Sequence, residues 1–169
     1  IKLHSTVLIL ILACFVPSQT FAVEVVTNRQ VIDDNLTKSQ LRRIYTMRQL
    51  HWSDNSAISV FVLPSQHKLH QKFAKERLQI FPYQLNRIWH KLTYSGLGVA
   101  PTIVDTEQEL IQAVIRTPGA IGYIGDITLN QIIQDQYVIV RKVANHESAV
   151  VNDEQESSRG VVNVVKIKD

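Results

Sequence analysis

The sequence predicts an α/β fold, a three-layer sandwich whose central mixed sheet is flanked by helices. Three observations predict it. Short β-branched runs at Val23–Thr27, Ala57–Leu63 and Ala120–Ile124 alternate with segments of helical periodicity. Helix-start signals stand just ahead of those segments, and Pro or Gly punctuation closes them. No internal repeat, low-complexity tract or Pro/Ser linker divides residues 23–169, which read as one domain.

Residues 1–22 stand apart. Lys2 supplies a positive start, Val7–Val16 is an unbroken apolar run, and Ala22 ends a small-residue cleavage site, the layout of a secretory signal peptide. The run falls short of the about 20 apolar residues of a membrane span. Two other readings use the same residues. Ile11-Leu-Ala-Cys14 resembles a bacterial lipobox with an unusual first residue, and the segment is also readable as an uncleaved anchor. A cleaved leader places the protein in the periplasm. Cys14 is the sequence's 1 cysteine, so the mature domain has no thiol or disulfide chemistry.

Each element has a local reason. Val23–Thr27 is β-branched and partly alternating, hence a strand; Asn28–Asn35 is a polar loop. Thr37 and Gln40 form a capping box, with Leu36 and Leu41 at staple spacing, and open a helix whose inner face continues through Ile44 and Tyr45. Trp52–Ser56 is a turn. Ala57–Leu63 is a near-continuous apolar run, expected to be a strand buried on both faces. A helix over Gln66–Gln79 puts Leu69, Phe73 and Leu78 inward, with Ser65 expected at its N-cap. Pro82 suits the first turn of the next helix, where Leu85, Ile88, Trp89 and Leu92 follow i, i+3, i+4, i+7. Thr106 and Glu109 form a second capping box, and Pro118-Gly119 ends that helix before the strand Ala120–Ile124. Residues 127–134 are ambiguous. Tyr137–Val143 and Val161–Ile167 read as strands around a polar loop, Asn145–Gly160.

Charge is unevenly spread. Between Lys38 and Lys91 there are ten Lys/Arg against two acids, Asp54 and Glu76, whereas residues 92–169 carry six Lys/Arg and ten acids. The basic half is either a set of solvated helix faces or a positive surface for an anion, partner or membrane. Nucleic acid is not expected of an exported chain with so few aromatics among its cations. No nucleophile elbow, HExxH, P-loop or pair of acids in an apolar setting occurs, so no enzyme activity is expected. Asp105, Glu107 and Glu109 are explained by helix-start electrostatics. His67 and His70 stand three apart without a third ligand placed nearby; they read as surface histidines, and neither metal nor cofactor is expected.

Several segments carry a more specific likeness: Leu36-Thr-Lys-Ser-Gln-Leu-Arg-Arg-Ile-Tyr45, Trp52-Ser-Asp, the strand ending Val62-Leu-Pro64, Phe73, Trp89 with Ser95-Gly96, and Thr117-Pro-Gly-Ala-Ile-Gly-Tyr123. In this order and spacing they resemble the phosphate-binding-protein family, the type II periplasmic solute-binding proteins of phosphate ABC importers. The resemblance covers residues 23 to about 125. It implies one lobe of a type II periplasmic-binding-protein fold, akin to the family's short single-lobe branch, and weak binding of phosphate or a related oxyanion for uptake or sensing. The family's oxyanion site is a Ser-Gly-Thr triplet at a helix start with a preceding arginine. Alignment on Phe73 brings that triplet near His67-Lys68-Leu69. Ser65 stands in for its hydroxyl, while the glycine, threonine and arginine are missing.

The implied ligand residues are Ser65, Gln66, His67 and Lys68 at the strand-to-helix junction. Thr27 and Asn28, at the end of the first strand, are secondary candidates. The other reading of the same chain is a ligand-free interaction module that docks on a membrane permease or sensor, or on a second copy of itself.

Overall fold

The computed structural model describes residues 22–33, 35–134 and 162–168. The expected leader (apart from Ala22), the strand Tyr137–Val143 and the loop Asn145–Gly160 lie outside the described residues. In chain order the elements are β1 (Val23–Asn28), β2 (Asn35–Thr37), α1 (Lys38–Tyr45), β3 (Ser59–Val62) and α2 (Lys68–Phe73), which continues as a π-helical turn over Ala74–Leu78. There follow α3 (Pro82–Tyr94), β4 (Thr102–Ile103), α4 (Glu107–Arg116), β5 (Ala120–Gly125), α5 (residues 126–134) and β6 (Val162–Lys168). No described helix is long and apolar enough to cross a membrane.

The strands form a mixed sheet in the order β2-β6-β1-β5-β3-β4. β1 is central and antiparallel to both neighbours, β5 and β6, while β3 runs parallel to β5 and β4. Alternation along β1 and β5 sorts side chains between two faces. Val26 lies opposite Gly122 on the face covered by α4, where Leu110 and Val114 close on the glycine. Val25 lies opposite Tyr123 on the other face, against Tyr45 of α1 and Phe73 and His70 of α2. That makes three layers, as expected. Leu41, Ile44, Phe73, Leu78 and Leu85 fill the α1/α2/α3 side and are at most 1% exposed. Each such burial contributes roughly 1.5–3 kcal/mol.

The local signals hold with adjustments. The Thr37 hydroxyl accepts the Gln40 N–H at 3.1 Å, and the Gln40 amide oxygen accepts the Thr37 N–H at 2.9 Å, a complete capping box. At α4, Thr106 Oγ1 accepts the Glu109 N–H, but the Glu109 carboxylate takes the N–H of Asp105 rather than that of the cap. Pro82 opens α3, and Gln84 accepts the Phe81 N–H.

Three expectations change. The strand expected over Ala57–Leu63 is the shorter β3, and Ser59, Val60 and Phe61 are only half-buried because their outer neighbour β4 has two residues. The helix expected over Gln66–Gln79 starts two residues later and widens to a π-turn that ends at Gln79 with φ 54°. Residues 126–134 are helical, and Asn35–Thr37 is a short strand where a loop was expected to end.

Candidate functional site

The junction after β3 is a turn followed by a helix. The His67 N–H donates to the Pro64 carbonyl at 2.8 Å, leaving Ser65 and Gln66 as the middle residues of a β-turn. The N-cap is therefore His67, not Ser65: His67 Nδ1 accepts the Leu69 N–H at 3.2 Å, and the His67 carbonyl accepts the Gln71 N–H. An early amide of α2 is thus satisfied by the protein's own ring rather than left for a ligand. Gln66 and Lys68 are exposed and Ser65 and His67 half-buried, so this turn meets solvent with one cation at its rim.

Thr27 and Asn28 are elsewhere. In the sheet Thr27 is level with Ile121, and Ile121 with Val60, at the start of β3. Ser65 lies beyond the other end of β3, and at about 3.3 Å per residue the two groups are separated by about 15 Å of sheet. The cause is strand direction: β1 runs against β3, so its last residues sit beside the first residues of β3. Asn28 is also committed. Its side-chain amide donates to the Val114 and Ile115 carbonyls, both at 2.9 Å, and its Oδ1 accepts the Gln30 N–H. It caps the end of α4 from within the core. Thr27 is fully buried. The six candidate residues are therefore not brought together; Ser65, Gln66, His67 and Lys68 share one turn, and Thr27 and Asn28 lie away from it.

The junction is tied to the core by groups that periodicity did not single out. Tyr123 OH accepts the Leu63 N–H at 3.0 Å and lies 2.6 Å from His70 Nδ1. Tyr123 and His70 are both buried, and the Tyr123 ring stacks on Phe73 at 3.9 Å. Burial holds the Tyr123 phenol well above its usual pKa, so its O–H is intact at neutral pH. Burial, and secondarily the neighbouring His67, pushes His70 down to about 4. His70 was expected at the surface, and the structure corrects this: it falls one residue after Leu69 and three before Phe73, on the buried side of α2.

The basic surface is partly structural. Arg42 donates to the Leu78 carbonyl and to Gln79 at the end of the π-turn. Arg77 donates to the Val23 carbonyl and lies 3.9 Å from Glu24, and Lys72 lies 3.9 Å from Glu76. A basic groove of about 590 Å³ runs along α3, lined by Ile80, Gln84, Arg87, Ile88, His90 and Lys91. An apolar cavity of about 500 Å³ lies between β3 and the 96–102 loop, with Met47, Leu50, Ile58 and Val99 on its walls. Neither is lined by the Ser65–Lys68 turn. Among the described residues no group of three or more His, Cys, Asp or Glu is placed to hold a metal.

This fold is that of a phosphate-binding-protein lobe. PstS from Borrelia burgdorferi superposes with a TM-score of 0.54 and 14% identity over 87% of this chain and 47% of its own. A protein assigned as a phosphate ABC transporter substrate-binding protein from Clostridium perfringens, solved with bound phosphate, gives 0.54 and 18% over 87% of this chain and 45% of its own. An ABC-type phosphate transport receptor from Vibrio cholerae gives 0.50 and 16% over 63% and 41%. The chain spans less than half the length of each of these structures. No protein-family model matches the chain, and no curated protein matches it in sequence.

Proposed function

We propose that this chain is a periplasmic solute-binding-like protein that takes phosphate or a related oxyanion weakly at the Ser65–Lys68 turn, for ABC-type uptake or sensing. The observation that carries the reading is the fold likeness over 87% of the chain to proteins named for phosphate transport, one of them solved with phosphate. The turn adds a chemical reason. Lys68 supplies a positive charge, Ser65 a hydroxyl and His67 a ring nitrogen not used by the cap. Charge-assisted hydrogen bonds contribute about 1.5–3 kcal/mol each. At an exposed turn, ordering and desolvation offset most of that, which supports high-micromolar to millimolar affinity. Thr27 and Asn28 have no part in this site, and no catalytic role is proposed.

Calorimetric titration of the full chain with inorganic phosphate and with sulfate tests the reading. Weak saturable heat is expected, with affinity reduced about three- to tenfold by Lys68→Ala and by Ser65→Ala. Absence of heat at millimolar anion from a folded protein would refute it.

The interaction-module reading has its own observation. Tyr94, Leu97, Val99 and Ile103 are 89%, 73%, 87% and 62% exposed on the segment that borders the apolar cavity. Such a patch is a surface that a partner covers.

A further inference from the structure

Leu63 and His70 bracket the turn that carries Ser65–Lys68, and one phenol on β5 touches both. Tyr123 is fully buried, and its oxygen accepts the Leu63 N–H at 3.0 Å from one side of the turn. On the other side it is 2.6 Å from His70 Nδ1. The direction of that second bond follows from counting protons. The phenol has one O–H and has already accepted from Leu63. If it donates to Nδ1, His70 carries its proton on Nε2, and that N–H is the one group of the set left unpaired, since Nε2 is buried with no hydrogen-bond partner among the described residues. If Nδ1 carried the proton instead, the Tyr123 O–H and the Nε2 lone pair would both be buried unpaired. Each additional buried orphan loses its hydration with no bond in return, which favours the first arrangement.

We propose that Tyr123 is a positioning residue: the directed chain from Leu63 N–H to Tyr123 O–H to His70 Nδ1 clamps both ends of the 63–70 junction and sets the shape of the turn. The depressed titration of His70 is consistent with this, since a protonated ring would turn a donor toward the Tyr123 hydrogen and break the chain. The groups facing His70 are Tyr123 from β5, Trp89 from α3 with ring centroids 6.0 Å apart, and His67 from its own helix. None is an acid that would hold a charged imidazole. As far as it concerns anion binding, the clamp rests on the function proposed above; as a statement about the junction it does not.

Two measurements separate those levels. Long-range proton–nitrogen correlation spectra of the wild-type chain at pH 7 should show His70 as the Nε2–H tautomer; the Nδ1–H tautomer overturns the clamp. Tyr123→Phe keeps the ring and removes only the oxygen. Hydrogen exchange at the Leu63 amide should then speed up by about tenfold or more, given the loss of a buried hydrogen bond, while amides of β1 and β5 keep their protection. Unchanged exchange at Leu63 overturns the proposal. If Tyr123→Phe does not fold, the tautomer of the wild-type protein decides alone. Where phosphate binds the wild type, Tyr123→Phe should weaken it severalfold, and equal affinity overturns the positioning role toward the anion. Where phosphate does not bind, the proposed function falls and the clamp is judged on tautomer and exchange.

Discussion

At the scale of single residues, the buried polar groups separate fold from function. Asn28 looks like a ligand candidate at a strand end, yet its side-chain amide donates to two carbonyls at the end of α4 and its Oδ1 accepts the Gln30 N–H. His70 was expected at the surface, yet it is fully buried against Tyr123. Its pKa, depressed to about 4 by burial and then by His67, ties stability to pH. The unfolded chain protonates this imidazole near its ordinary value of about 6.5. The stabilisation is therefore fully present above that pH and is lost as pH falls toward 4, by about 3 kcal/mol. Urea unfolding between pH 7.5 and 4 should show that loss, and His70→Gln should remove about that much of the slope. Equal slopes for both proteins would contradict the assignment.

At the scale of elements, two glycines hold helix and turn against the sheet, for different reasons. Gly119 has φ 72°, and a Cβ there would lie 2.2 Å from the Ala57 carbonyl oxygen, a backbone atom with little freedom to move. Trp52 Nε1 also donates to the Gly119 carbonyl at 2.9 Å, pinning the Trp52–Ser56 turn to this one. At Gly122 the obstacle is Leu110 Cδ2 at 2.4 Å, the end of a side chain that can change rotamer. Gly119→Ala should therefore destabilise more than Gly122→Ala, with about 1–3 kcal/mol for the latter from overpacking. Denaturation midpoints of the two variants give the order, and the reverse order would mean α4 cannot yield. The Thr37–Gln40 capping box, the Thr106 N-cap, the helix-opening proline and the glycine stop were legible because each is a local pattern of three or four residues; the second box is only half formed, because the Glu109 carboxylate takes the Asp105 N–H instead of that of the cap. The late start of α2 was not. Whether a residue two positions earlier or later caps a helix depended here on His67 Nδ1 reaching the Leu69 amide.

For the molecule as a whole, the open question is what meets the exposed apolar segment Tyr94–Ile103. The interaction-module reading predicts a mass that rises with concentration in light scattering, and its reversal by Leu97→Asp or Val99→Asp with the folded state intact. A monomer at all concentrations would leave self-association without support. The Ser65–Lys68 turn proposed to take the anion and this patch lie on different parts of the surface, since the apolar cavity borders the start of β3 and the turn follows its end. The two readings can therefore be tested by independent substitutions.

The sequence by itself determined the layer architecture, most helix boundaries, the apolar inward residues of α1 to α4 and the glycines at the Thr117–Tyr123 turn. These follow from periodicity, capping and backbone sterics, which act over a few neighbouring residues. Only the tertiary structure decided that β1 lies in the middle of the sheet and runs against β3. That choice rests on pairing between strands about a hundred or more residues apart in sequence, Val25 with Tyr123 and with Val165. Local patterns carry no information on strand direction, and it is direction that parted Thr27 and Asn28 from Ser65 and placed a buried tyrosine under the junction.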